Sequence, residues 1–318
     1  MKVAFVFPGQ GAQEVGMGRA LAERYPSARE VFSRADRALQ GDATPLSTLC
    51  FEGPASELML TANTQPAVLT ASLACLAALR SRLPELQPAM VAGHSLGEYT
   101  ALVCAGALTL EDAVPLVRLR GEAMQEAVAP GEGAMSAVMG LEDAQVQALC
   151  DQVRDALPGR VVSPANFNAP SQVVIAGHAD AVARAEALVA ARRGRAIPLK
   201  VSAPFHCALM APAAERLQGA LGAIPVGALA VPVVPNVDAV AHQDPSRVRG
   251  LLVRQVAGTV RWTDCVRALA AGGVDTVLEL GPGAVLKGLL KRIDKGLRVY
   301  NVSDPDTLDQ AVQALQPA

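Results

Sequence analysis

The chain has 318 residues, 51% of them apolar, 18% charged and 3% aromatic, and a net charge of −2. This is enough apolar chain for one large α/β domain, or a large domain with a small one, around a core of Ala, Val and Leu. The charge balance excludes the basic field that nucleic acid requires, and no apolar run is read as a membrane span, so neither is expected as a partner.

Short β-branched or aromatic runs alternate with longer Ala/Leu/Arg/Glu segments, the pattern of an α/β fold with a central, mainly parallel sheet. Residues 3–7 predict a buried strand that stops at Pro8-Gly9-Gln10-Gly11. Five apolar residues are too few for a secretory h-region, so a soluble, cytoplasmic protein is expected. Residues 69–82 predict a helix and 89–92 a strand, followed by Gly93-His94-Ser95-Leu96-Gly97 and helices over 98–106 and 110–127. Pro130-Gly131-Glu132-Gly133 reads as a hinge. Beyond it come strand 134–139, helix 142–157, strands 161–167 and 172–176, helix 179–192 and strand 196–201. That βαββαβ order is ferredoxin-like, so 128–198 is expected as a small inserted domain between 1–127 and 199–318 of the large one. The large domain resumes with strand 231–235, helices 245–256 and 263–271, and strand 276–280. Six cysteines, Cys50, Cys75, Cys104, Cys150, Cys207 and Cys265, are spread without a C-x-x-C pair, which fits reduced thiols better than a zinc cage or a disulfide framework.

The G-x-S-x-G at 93–97 lies between a predicted strand and a predicted helix. In that setting a tight turn lifts Ser95 Oγ above the sheet edge, and the Leu96 amide points where an oxyanion would form. A bare match also arises by chance in a chain with 27 glycines; the flanking elements favour the functional reading. A serine nucleophile needs a base, and there are four histidines. His94 adjoins the serine, with its side chain directed elsewhere. His178 opens a helix, where a capping or surface role is expected, and His242 sits in a polar loop. His206 follows a strand and Pro204 at a strand end, where α/β catalytic residues collect, and is the best base by elimination.

Thr109 is placed to cap the helix starting at Leu110, with Asp112 at the capping-box position. On that helix Ala113, Leu116, Val117, Met124 and Ala127 form one apolar stripe, and Arg120 falls at its centre, while Arg118 points out the other side. Pro115 lies inside the same helix. A core-facing guanidinium must be paired. Two partners fit: an internal Asp or Glu, or the carboxylate of a substrate gripped in a bidentate clamp.

Together these residues resemble a known family, the malonyl-CoA:acyl-carrier-protein transacylases of bacterial fatty-acid synthesis and their polyketide relatives. The matching motifs run from Phe7-Pro8-Gly9-Gln10-Gly11 to Gly281-Pro282-Gly283. Between them lie Thr64-Gln65-Pro66-Ala67, Gly93-His94-Ser95-Leu96-Gly97-Glu98-Tyr99, Arg118-Leu119-Arg120-Gly121, Asn166-Phe167-Asn168, Pro204-Phe205-His206 and Gln255-Val256. The resemblance implies Ser95 as nucleophile and His206 as base in a Ser–His dyad, with the second histidine nitrogen held by the backbone carbonyl of Gln255. It also implies an oxyanion hole from the amides of Gln10 and Leu96, and Arg120 as the residue that pairs with the malonyl carboxylate. Gln65 and Asn166 match residues lining the acyl and pantetheine channel. The implied fold is an α/β-hydrolase-like large domain with a ferredoxin-like insert.

Two positions depart from the family pattern. Thr259 stands where proline is usual. Phe205 stands where many stand-alone members have serine, and resembles the Phe-His pair of malonyl-selective polyketide acyltransferases. The implied reaction is ping-pong through a malonyl-Ser95 ester, from malonyl-CoA to the phosphopantetheine thiol of an acyl carrier protein, with no metal or redox cofactor. Alternatives are a polyketide-pathway acyltransferase, the transacylase subunit of malonate decarboxylase, a plain serine hydrolase, a non-catalytic carrier-protein scaffold and a dinucleotide-binding module on Gly9-Gln10-Gly11. For the last, Glu14 occupies the final glycine position of the phosphate loop and would repel a pyrophosphate.

Overall fold

Five parallel strands carry the larger part of the chain. The structure is a computed structural model and describes residues 1–316. Strand β1 (Val3–Phe7) lies at the centre of a sheet ordered β7 (Val233–Val234), β2 (Met90–Gly93), β1, β8 (Thr276–Leu280), β9 (Arg298–Val302), and every pairing is parallel. Val3, Phe5 and Phe7 enter the apolar cluster on one face, Ala4 and Val6 that on the other. A parallel strand between two helical layers has no polar face, which is why this run shows no alternation. Phe7 pairs in register with Gly93, so the loops after β1 and β2 leave the sheet side by side at its C-terminal edge. Ligands of open α/β sheets bind at that edge.

A second sheet is antiparallel, in the order β4 (Val162–Ala169), β5 (Gln172–His178), β3 (Gly133–Met139), β6 (Arg195–Pro198). Helices Asp143–Ala156 and Ala179–Ala191 cover one of its faces. Along β5 the side chains alternate: Val173 and Ile175 pack with those helices, while Val174 and Ala176 join the main core. The second face of this sheet therefore abuts the large core and roofs the edge where the β1 and β2 loops emerge.

Several elements differ from their sequence expectation. The helix expected over 69–82 runs over Thr61–Arg82 and contains Pro66. The missing N–H of Pro66 removes one helical hydrogen bond, but nearly all of Thr61–Leu79 is buried, and packing outweighs that loss. This helix is long and apolar enough to cross a membrane, against the expectation that no segment is, and most of its apolar stretch is buried inside the protein. Strand 231–235 contracts to Val233–Val234, and strand 196–201 ends at Pro198. Helices Arg19–Arg24, Pro26–Ala38, Leu46–Glu52, Ala55–Leu58, Ala211–Ala223, Val285–Ile293 and Pro305–Leu315, together with β9, are not anticipated from the sequence. Helix Val285–Ile293 lacks a conventional cap; instead the buried carboxylate of Glu279 on β8 accepts the amides of Leu286 and Lys287 at 2.9 and 2.8 Å.

Helix Leu110–Glu126 crosses the central helix at Gly121. A Cβ there would lie 2.6 Å from the Thr61 carbonyl and 2.7 Å from Ala62 Cα, so only glycine permits the approach. Gly121→Val is expected to lower stability by about 1–3 kcal/mol through overpacking, measured by urea unfolding. An unchanged midpoint would show that the crossing tolerates a side chain.

Candidate active site

The turn from β2 into helix Gly97–Cys104 carries Ser95 at φ 51, a left-handed conformation that a non-glycine residue holds only when its surroundings enforce it. Both flanking glycines are obligatory: a Cβ on Gly93 would overlap the backbone of Gly97, and one on Gly97 would overlap the carbonyl of Phe7. Asn236, just beyond β7, grips the same turn. Its Oδ1 accepts the Ser95 amide at 2.7 Å and its Nδ2 donates to the Gly93 carbonyl at 2.7 Å. Among the described residues, the amides of Gln10 and Leu96 donate to no protein acceptor. They sit in the two neighbouring loops at the sheet edge, free to serve an external oxygen.

His206 also has a left-handed backbone, at φ 59. Its Nδ1 lies 2.9 Å from the Gln255 carbonyl, which can only accept, so Nδ1 carries the proton and donates. That leaves the Nε2 lone pair to accept from Ser95 Oγ, 2.7 Å away. Burial, reinforced by the nearby Arg120 charge, pushes the ring down to about 3, so it is neutral at physiological pH with the Nε2 lone pair available.

Arg120 is buried, with 2% of its surface exposed, on the stripe where helical periodicity puts it; Thr109 caps the helix through the Asp112 amide. Pro115 is accommodated without ending the helix. The expected alternatives separate here. Arg120 forms no salt bridge among the described residues: Nη1 donates to Gln65 Oε1 at 2.7 Å, and Nη2 to Gln255 Oε1 at 2.9 Å and Ser95 Oγ at 3.1 Å. Its Nε has no partner, and its charge rests 5.3 Å over the Tyr99 ring. Arg118, by contrast, reaches Asn63 and Asp42 near the surface. The groups that accept from this buried cation are thus all neutral.

Residues 4–308 match the family described as "Acyl transferase domain". The chain is 50% identical over 310 residues to the malonyl CoA-acyl carrier protein transacylase of Salmonella typhimurium, covering 97% of this chain and 98% of that one. A solved acyl-carrier-protein S-malonyltransferase from Burkholderia pseudomallei superposes with a TM-score of 0.93 at 48% identity, over 98% of this chain and all of its own. A second solved structure, a malonyl-transacylase in complex with its type II PKS acyl-carrier protein, gives 0.92 at 44% identity, over 99% and 100% of the two chains. The chain belongs to the malonyl CoA-acyl carrier protein transacylase family.

In this member of the transacylase family Ser95, His206 and Arg120 open on one cavity of about 190 Å³. Gln10, Gln65, Leu96, Asn166 and Phe205 line it, as does His94, with Met124, Met135, Val174, Leu199 and Val201 as the apolar wall. His94 is turned from Ser95 toward Asn168, its Nε2 2.8 Å from Oδ1, and packs on Trp262. The other two histidines differ from expectation. His178 occupies a cap position, but its Nδ1 accepts the Val161 amide rather than capping the helix; His242 is half-buried, its backbone paired with Val233. Among the described residues no cluster of three His, Cys, Asp or Glu side chains forms that could hold a metal ion. Two residues with structural leverage on the site carry no assigned role in the sequence reading. Asn236 follows a strand end, a position that can signal function; Glu98 stands inside the elbow motif, three residues beyond Ser95. Burial pushes the Glu98 carboxyl up to about 7, against the opposing pull of the Asn236 amide, Gln255 and Arg120.

For His206 the depressed value has a fixed sign. The stability that comes from its neutral form is present above pH 6.5 and is lost as pH falls toward 3. A side-chain NMR titration should show no protonation of His206 near pH 6.5; a step there would mean that the ring is solvated.

Proposed function

We propose that the chain transfers the malonyl group of malonyl-CoA to the phosphopantetheine thiol of an acyl carrier protein, with Ser95 as nucleophile and His206 as base. The observation that carries this reading is the buried Arg120 guanidinium, unpaired by any carboxylate among the described residues and 3.1 Å from Ser95 Oγ. A plain esterase has no use for a buried cation there, whereas an acyl group ending in a free carboxylate would pair with it. The names of the relatives support the same substrate and partner.

In the proposed cycle His206 Nε2 takes the proton of Ser95 Oγ as the oxygen attacks the thioester carbonyl. The tetrahedral oxyanion is held by the Gln10 and Leu96 amides. The C–S bond breaks, CoA leaves as a thiol with the proton returned by His206, and malonyl-Ser95 remains. The carrier-protein thiol then gives its proton to His206 and attacks the ester; Ser95 Oγ leaves and recovers that proton. Arg120 keeps the malonyl carboxylate in one place through both halves, and the Gln255 carbonyl holds the imidazole. Gln65, Asn166 and Phe205 shape the acyl and pantetheine channel, with Phe205 favouring malonyl over bulkier branched groups. The same chemistry in a polyketide pathway is supported by the solved relative whose partner is a type II PKS carrier protein. We also propose that residues 1–127 and 199–318 form an α/β-hydrolase-like catalytic domain and 128–198 a ferredoxin-like insert; the strand order β4-β5-β3-β6 and the separate apolar cluster beneath it support that division.

Brief exposure to malonyl-CoA should add one malonyl mass at Ser95, read by intact-mass analysis and peptide mapping, and none to Ser95→Ala. An adduct on another residue, or none, removes the central claim. Arg120→Ala should lose roughly thirty- to several-thousand-fold in malonyl kcat/KM while acetyl transfer is spared or raised. If both fell together with a lower Tm, Arg120 would be a structural residue and the clamp would be wrong.

A further inference from the structure

Glu98 is buried, with 2% of its surface exposed, and faces the site from the first turn of helix Gly97–Cys104. Its Oε2 accepts two hydrogen bonds, from the Asn236 backbone amide at 2.9 Å and from Gln255 Nε2 at 2.8 Å. These two partners hold the reacting groups. Asn236 Oδ1 takes the Ser95 amide, and Gln255 Nε2 also donates to the Ser95 carbonyl at 2.9 Å. Gln255 Oε1 accepts from Arg120 Nη2, and the Gln255 backbone carbonyl accepts from His206.

A carboxamide is nearly symmetric in shape, so packing alone does not tell its oxygen from its nitrogen. Here the neighbours do. One side of Gln255 presents only acceptors, the Glu98 carboxylate and the Ser95 carbonyl, and demands the NH2 group. The other side presents Arg120, which can only donate, and demands the oxygen. If the amide turned over, its NH2 would face the guanidinium and its oxygen would face the carboxylate. Glu98 Oε2 is itself fixed as an acceptor by the Asn236 backbone amide, so it holds its place opposite the Gln255 NH2.

We propose that Glu98 is a positioning residue for malonyl transfer: its carboxylate locks the Gln255 carboxamide with oxygen toward Arg120 and so sets the guanidinium where the acyl carboxylate is gripped. Glu98 reaches Arg120 only through the neutral Gln255 carboxamide, which steadies the arginine and leaves the rest of its guanidinium edge to an incoming anion. The proposal rests on the clamp reading of Arg120 given above.

The test measures kcat and KM for malonyl-CoA and acetyl-CoA on folded Glu98→Met, Glu98→Gln, Glu98→Asp and Arg120→Ala proteins. Glu98→Met keeps the size but removes the acceptor. It should lower malonyl kcat/KM by about tenfold or more, chiefly through KM, and leave acetyl transfer within about threefold. Glu98→Gln keeps an acceptor oxygen and should restore the malonyl-to-acetyl ratio. If Glu98→Met does not fold, Glu98→Asp, which draws the acceptor back from Gln255 by one methylene, must show the same malonyl-selective loss. An Arg120→Ala protein that keeps the wild-type ratio overturns the clamp and this proposal with it. An Arg120→Ala protein that loses the ratio while folded Glu98→Met, or Glu98→Asp in its place, keeps it overturns this proposal alone.

Discussion

A guanidinium taken out of water must find its hydrogen bonds in the protein, and among the described residues Arg120 finds them without a carboxylate. The desolvation of such a charge costs several kcal/mol, and most buried cations recover it through an ion pair. Here the compensation is spread over Gln65, Gln255, Ser95 Oγ and the face of Tyr99. Each neighbour is thereby constrained. Two carboxamides must turn their oxygens inward, the aromatic ring must lie beneath the charge, and two helices must approach as closely as Gly121 allows. Ser95 Oγ, already bonded to His206, receives a second hydrogen bond from a cation, which favours the oxygen as it gains negative charge.

The same constraint gives a physical reason for a carbonyl, and not a carboxylate, behind the histidine. An aspartate at that position would be a buried anion close to Arg120, and the two would pair. The Gln255 carbonyl fixes the imidazole tautomer equally well and adds no net charge. Both Ser95 and His206 hold left-handed backbones, the sort of local strain that persists only where several outside contacts enforce it. For Ser95 those contacts are visible: its amide is bound by Asn236 and its carbonyl by Gln255.

What could be read from the sequence was what is local. The elbow was legible because its geometry is set by glycines two residues from the serine. Arg120 was legible because helical periodicity places it against Leu116, Val117 and Met124. The charge state of its surroundings was not, since Gln65 and Gln255 lie 55 and 135 residues away. Asn236 and Glu98 were invisible as a pair for the same reason, being 138 positions apart. Pro66 concealed the first two turns of the central helix, because proline's local cost is plain in a sequence and the burial that outweighs it is not. Helix Pro26–Ala38 was missed although Ala28, Val31, Phe32 and Ala35 have helical spacing and are all buried; there the signal was present in a region of short, interrupted elements.

The long separations between partners also govern when the site comes into being. Ser95 meets His206 across 111 positions and Gln255 across 160, and β8, a direct neighbour of β1 in the central sheet, is later still in the chain. A chain growing from its N-terminus therefore presents Ser95 long before His206, Gln255 or a finished sheet exists to meet it. Under the proposed mechanism, Ser95 gains its partners only in a late step that coincides with completion of the fold.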